Sequence, residues 1–166
     1  MINKINNLSK SRFVQVFGNI FENASWIAEK LNDQKPFKNF QELSEKMLYI
    51  FENTNNENKL KIFNSHPDLA DKTKIGLLTT DSNKEQNNAG LDQCSEEEFN
   101  DFKNLNNKYK KKFGFPFIYA VKNKSKIEIL NNFKERVTYD INVEFIEATK
   151  QVKKIASLRI NEINKK

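Results

Sequence analysis

Apolar residues recur along this chain at spacings of three and four, so most of it reads as a succession of amphipathic helices. Phe13, Val16, Phe17, Ile20 and Phe21 make the first such face, and Trp26, Ile27 and Leu31 continue it after a break near residues 23–25, with the Trp read as a core anchor. The polar residues 1–10 are expected to fray. Asn39 followed three residues on by Glu42 predicts a capped helix with Phe40, Leu43, Met47, Ile50 and Phe51 on its inner side. Ser95 with Glu98 and Ser125 with Glu128 repeat that capping signal. The first opens a helix with Phe99, Phe102, Leu105 and Tyr109 on one face, acids in its first turn and lysines in its last, which suits the helix dipole. The second carries Ile129, Leu130, Phe133 and Val137, and a long last helix from about Ile141 sets Phe145, Ala148, Val152, Ile155 and Ile163 inward. Gly114-Phe115-Pro116-Phe117 is a sharp turn into the apolar run 118–121, whose periodicity fits a strand or a helix equally. The expectation is an all-α fold: one compact domain of about eight helices over residues 1–166, without repeats or a dividing linker.

The helical pattern lapses between Ser65 and Leu91. His66 is the only histidine of the chain and stands immediately before Pro67. A residue before proline is pushed out of the helical region, so the imidazole should sit on an extended turn just past a helix end, with Asp68 or Ser65 able to cap the next element. Residues 71–80 offer two lysines, Gly76 and three threonines around a small apolar cluster, and read as an irregular segment. Ser82 with Glu85 then fits a capping box, with Gln86 beside it and Gly90 ending the short helix.

Composition narrows the class. Fourteen phenylalanines and 37% apolar residues in a chain of 166 can fill one core. One cysteine, Cys94, excludes an intramolecular disulfide and a zinc knuckle, and reads as a buried or idle thiol. No run is apolar enough for a signal peptide or a membrane span, so a soluble, cytoplasmic protein is expected, with no membrane partner. The formal charge of +6 raises the alternative of a basic helical module binding nucleic acid. Its distribution speaks against that: residues 1–100 carry 12 basic and 15 acidic side chains, residues 101–166 carry 16 and 7, and the excess is lysine spread over helix faces. Arginine is rare by contrast. Arg12, Arg136 and Arg159 are the only three, and each offers a planar fork that lysine cannot.

Taken singly, the chemical candidates have ordinary explanations. A histidine on a turn is more often structural than catalytic, a carboxylate three residues after a serine caps its helix, and an arginine among apolar neighbours lays its stem over the core. Order and spacing change the weighing. His-Pro-Asp-Leu, then Ser-x-x-Glu-Gln-x-x-Ala-Gly-Leu, then Tyr-x-x-Lys-Phe-Gly-Phe-Pro-Phe-Ile, then Ile-Ala-x-Leu-Arg resembles the 2-oxo-4-hydroxy-4-carboxy-5-ureidoimidazoline (OHCU) decarboxylase family. The Val-x-x-Phe-Gly-x-Ile-Phe-Glu run and Trp26-Ile27-Ala28-Glu29 extend the resemblance over nearly the whole chain.

That resemblance implies an all-α enzyme of urate breakdown that needs no cofactor or metal and converts OHCU to (S)-allantoin with loss of carbon dioxide. It implies His66 and Glu85 as the catalytic pair, and Pro67, Ser82, Gln86, the backbone at Phe117 and Ile118, and Arg159 as substrate contacts. A small-molecule substrate, no nucleic acid and a homodimer complete the expectation. Two positions depart from the family pattern: Ala24-Ser25-Trp26 stands where Ser-Pro-Trp is usual, and Asn123 where Gly precedes Lys-Ser. Asparagine tolerates a left-handed backbone, so the second change is mild.

Overall fold

Short polar side chains decide where most of the helices begin. The computed structural model describes residues 1–71 and 78–165, and its helices run α1 (Ile2–Asn6), α2 (Lys10–Phe17), α3 (Ser25–Asn32), α4 (Phe40–Glu52), α5 (Asn56–Ser65), α6 (Thr80–Asn88), α7 (Glu96–Phe113), α8 (Lys126–Arg136) and α9 (Ile141–Asn164). Among the described residues there is no strand, so the all-α expectation holds. Ser9, Asn39, Ser95 and Ser125 each accept a hydrogen bond from the backbone N–H three residues on, and Ser95 and Ser125 form complete capping boxes with Glu98 and Glu128. Each such cap stabilises its helix by about 1 kcal/mol. Gly114 takes a left-handed φ of 77° after α7, and Asn123 one of 60°, as its tolerance of that region allows.

The described residues pack as two compact units: Met1–Ser65 with Thr149–Lys166, and His66–Ala148. In the first, α2, α3 and α4 pack in succession around buried rings, with Phe13 and Phe17 centroids 4.7 Å apart and Phe21 stacked on Phe51 at 4.9 Å. In the second, Tyr109 of α7 is ringed by Phe113, Phe115, Phe117 and Phe133, and Phe117 lies flat on Phe133 at 3.9 Å. Full burial of a Phe side chain is worth about 1.5–3 kcal/mol, so these clusters carry much of the folding energy.

Several expectations need correction. Residues 1–10 do not fray: α1 buries Ile5, and Asn6 exchanges two hydrogen bonds with the backbone of Phe37, at 2.8 and 2.9 Å. Val16 is exposed and Trp26 only half-buried, with the Lys30 ammonium 5.0 Å from the Trp ring, because the apolar stripes of these short helices are narrower than the spacing suggests. Phe145 and Ile163 are likewise half-buried rather than core. The run 118–121 is neither strand nor helix; it is buried irregular backbone apart from half-buried Tyr119. Cys94 is half-buried and forms no disulfide. Residues 72–77, the heart of the segment read as irregular, lie outside the described residues.

Candidate active site

The segment carrying the single histidine starts where α5 stops. Pro67 cannot be preceded by helical backbone, and Ser65 does not cap the next element: its Oγ turns back to donate to the Lys61 carbonyl at 2.9 Å. His66 is half-buried with its Nε2 shielded from solvent, and Asp68, Leu69 and Ala70 are buried. Ala70 holds a left-handed φ of 54°, a conformation an L residue adopts only when its surroundings impose it.

Those surroundings are two helices. Gln86 of α6 is buried, accepts from the Ala70 N–H at 3.1 Å through Oε1, and donates to the Asp68 carbonyl at 3.2 Å through Nε2. Asn106 of α7, also buried, donates to the Leu69 carbonyl at 3.0 Å, and the Lys110 ammonium meets the Asp68 carboxylate at 2.6 Å. Asp68 is therefore a partner of α7 rather than a helix cap.

The start of α6 differs from the sequence expectation in a way that matters for chemistry. Its cap is Thr79, whose Oγ1 accepts from the Ser82 N–H at 3.2 Å, and Asp81 supplies the acid of the first turn. Ser82 lies inside the helix and is buried, so no Ser82–Glu85 capping box opens it. The helix starts earlier because Thr79 offers the same hydroxyl with a better-placed first turn. With capping assigned to Thr79, that explanation of Glu85 falls. Ser82, half-buried Glu85 and Gln86 lie at i, i+3 and i+4, on one face of α6. Gln86, expected as a substrate contact, has both ends of its amide on the 68–70 backbone.

The Phe117–Ile118 backbone is held by a second group that sequence reasoning did not assemble. Arg136, at the end of α8, donates to the Ile118 carbonyl at 2.9 Å and lies over the Phe117 ring at 4.5 Å. Its Nε lies 3.0 and 3.1 Å from the two carboxylate oxygens of Glu144 of α9, with a further contact from its Nη2. The Tyr109 hydroxyl donates to the same carboxylate. Burial and that acceptance push the Tyr109 phenol well above its ordinary value of 10.0.

Arg159 belongs to the first unit. Its guanidinium is buried and donates to Glu22 at 3.0 Å and to the Asn19 and Ile20 carbonyls at 3.4 and 3.3 Å. The fork is thus oriented by a buried acid rather than snorkelling to solvent, and Glu22, the last residue of the Val-x-x-Phe-Gly-x-Ile-Phe-Glu run, carried no expected role.

Of the residues missed, Asn106 left a signal: it falls on the same stripe as Phe102 and Tyr109, a polar member in an apolar row. Arg136 left a weaker one in its rarity. Among the described residues no group of three or more His, Cys, Asp or Glu could hold a metal ion, and no helix is long and apolar enough to cross a membrane.

An imidazole on a braced turn and a carboxylate on a helix tied to that turn are kinds of group that move protons on a small molecule. Comparison with known proteins gives this class a family. The OHCU decarboxylase family model matches residues 6–161, and the chain belongs to that family. It is 41% identical over 162 residues to the uric acid degradation bifunctional protein of Bacillus sp. (strain TB-90), covering 98% of this chain but 32% of that longer protein. It is 35% identical over 161 residues to the 2-oxo-4-hydroxy-4-carboxy-5-ureidoimidazoline decarboxylase of Haloferax volcanii, covering 97% of this chain and 94% of that one. A crystal structure of (S)-allantoin synthase superimposes with a TM-score of 0.78 at 25% identity, over 98% of this chain and 54% of the other.

Proposed function

We propose that this member of the OHCU decarboxylase family removes the carboxylate of OHCU to give (S)-allantoin in urate degradation, with His66 and Glu85 as its acid–base pair. The reading of the pair rests on one observation: Thr79 caps α6, while Gln86 on the same helix is tied to the backbone just after His66-Pro67. Glu85 is therefore presented by a helix anchored to the histidine's own segment.

The chemistry asks little more. As the bond to the carboxylate breaks, carbon dioxide leaves and its electron pair flows into the adjoining C=N and ring carbonyl; the ureido-bearing carbon of that C=N then takes a proton on one face, and the hydroxyl on its neighbour gives up its own to become the product carbonyl. An imidazole exchanges protons near neutral pH, and a nearby carboxylate fixes its tautomer or supports its cation. Ser82 and the Phe117–Ile118 backbone are assigned to orienting the ring, and Pro67 to shaping the wall beside the imidazole. The family resemblance makes Arg159 a fork for ring or ureido oxygens, and Glu22 sets the direction of that fork. A tight pair between Arg159 and the departing carboxylate would stabilise the ground state and slow the reaction.

Chiral analysis of allantoin formed from freshly generated OHCU tests this. Wild-type protein should give an excess of the (S)-product over the racemate of spontaneous decay. His66→Ala should abolish that excess with its helical circular dichroism intact, and Glu85→Gln should lower it at least about a hundredfold. An active His66→Ala protein would sink the assignment. The same reading carries a cytoplasmic homodimer without a nucleic-acid partner; light scattering and oligonucleotide mobility shifts are the checks.

A further inference from the structure

We infer that Asn106 and Lys110 of α7 are positioning residues for His66, acting through the backbone of residues 68–70. The inference rests on His66 being the acid–base group proposed above.

Three consecutive residues after Pro67 are fixed by side chains of other elements. The Asp68 carbonyl takes Gln86 Nε2, the Leu69 carbonyl takes Asn106 Nδ2, and the Ala70 N–H gives to Gln86 Oε1. Lys110 adds the Asp68 side chain, a carboxylate only 8% exposed. Peptide planes bonded from both α6 and α7 cannot rotate independently, and the left-handed Ala70 is the local sign of that imposition. The constraint reaches His66 because the intervening residue is proline. Its φ is locked by the ring, which leaves few soft dihedrals between the fixed planes and the imidazole's backbone.

Asn106 itself argues against a purely structural role. It lies 5% exposed on the apolar stripe of α7, and its Oδ1 is buried with no hydrogen-bond partner among the described residues. Leucine there would remove the orphaned Oδ1 but leave the buried Leu69 carbonyl without its donor, so the two costs offset and stability alone does not call for asparagine. What asparagine supplies that leucine cannot is the one bond its amide makes, to the Leu69 carbonyl. A cavity of about 400 Å³ bordered by Asn106, Lys110, Asp68 and Ala70 leaves room for the bulkier side chain of leucine.

The experiment compares Asn106→Leu, Asn106→Asp, Lys110→Met and Lys110→Arg with wild type by thermal unfolding, steady-state kinetics and ¹⁵N NMR of the imidazole. His66 is the only histidine, so its ring nitrogens give a single assigned set of signals without substrate. Asn106→Leu should change Tm little, shift or broaden the His66 signals, and lower kcat at least about tenfold with KM little changed. Asn106→Asp, which sets an acceptor against an acceptor, should show the same shift and loss; Lys110→Met should follow more weakly and Lys110→Arg should restore wild-type signals. His66 signals that superimpose on wild type in Asn106→Leu and Asn106→Asp overturn the inference, as does a rise in KM with kcat unaltered, or a loss of activity matched by a loss of Tm. If wild type does not turn over OHCU while the signals still move, the reaction assignment fails and the positioning of His66 stands.

Discussion

Two stretches of irregular backbone in the second unit, residues 66–70 and 115–121, carry groups assigned to the site, and they are held in opposite ways. The first is pinned by neutral amides from Gln86 and Asn106 and by one half-exposed lysine. The second is pinned by a fully buried ionic cluster, Arg136 with Glu144 and Tyr109, set among stacked rings. A neutral hydrogen bond contributes about 1 kcal/mol net, whereas a buried charge that loses its partner costs several. The two amides on the histidine's segment are therefore where geometry can be altered at little cost in stability, the buried Asp68 carboxylate being the exception. At the Phe117–Ile118 turn, geometry and stability are the same thing.

Glu144→Gln makes the largest break in that contrast. It leaves the Arg136 guanidinium 1% exposed without its counter-charge, and should cost about 3–5 kcal/mol in urea unfolding. Set beside Asn106→Leu, which should lose activity and keep stability, it should lose both together. A Glu144→Gln protein destabilised by less than about 1 kcal/mol would erase the distinction between the two segments. Replacing Arg136 and Glu144 jointly by Met and Leu should recover much of the loss, because no charge is then stranded.

Tyr109 sharpens the contrast on a smaller scale. Its phenol is neutral when protonated, and burial with the Glu144 bond raises its folded pKa above the ordinary 10.0. Folding thus binds this proton more tightly, so the stability it contributes is whole below pH 10.0 and declines above it as the unfolded chain ionises. In an ultraviolet titration, one of the four tyrosines should resist ionisation until the protein unfolds. Tyr109→Phe should remove that late step and cost about 1–2 kcal/mol. A Tyr109 phenol that ionises in the folded protein near the ordinary 10.0 would mean the cluster is wet.

The same contrast explains what was legible in the sequence. Caps and helix faces were readable because Ser95 and Glu98, or Asn39 and Glu42, are partners within one turn. The ambiguity at α6 arose there too, since Thr79, Thr80 and Ser82 all offer a hydroxyl and only the packed helix selects among them. The bracing was not readable. Asn106 meets Leu69 across 37 residues and Tyr109 meets Glu144 across 35, and no local pattern encodes such pairs. Motif order assigned His66, Glu85 and Arg159 to the site, but it gave Glu22 no role and was silent on Gln86's backbone ties and the α7 brace.

The smallest effect concerns the helices that supply the two braces. α7 provides Asn106 and Lys110 to one segment and Tyr109 to the other, while α8 provides Arg136 to the second alone, and both open with a capping box. The Glu98 carboxyl is held below its ordinary value first by Lys126 and then by the Ser95 N–H; Glu128 is held low first by the Ser125 N–H. With folded pKa values depressed, both acids stabilise the protein above the ordinary 4.5, and that contribution is lost as pH falls through the lowered values. Glu98→Gln and Glu128→Gln keep an acceptor for the cap and remove only the charge. Each should flatten the fall of Tm in acid by a small margin and leave the His66 signals where they are, since the caps lie at the far ends of α7 and α8 from the bracing residues. Should Glu98→Gln move those signals, the brace on residues 66–70 would extend through the whole of α7, and the two segments would no longer be separable by where their partners sit.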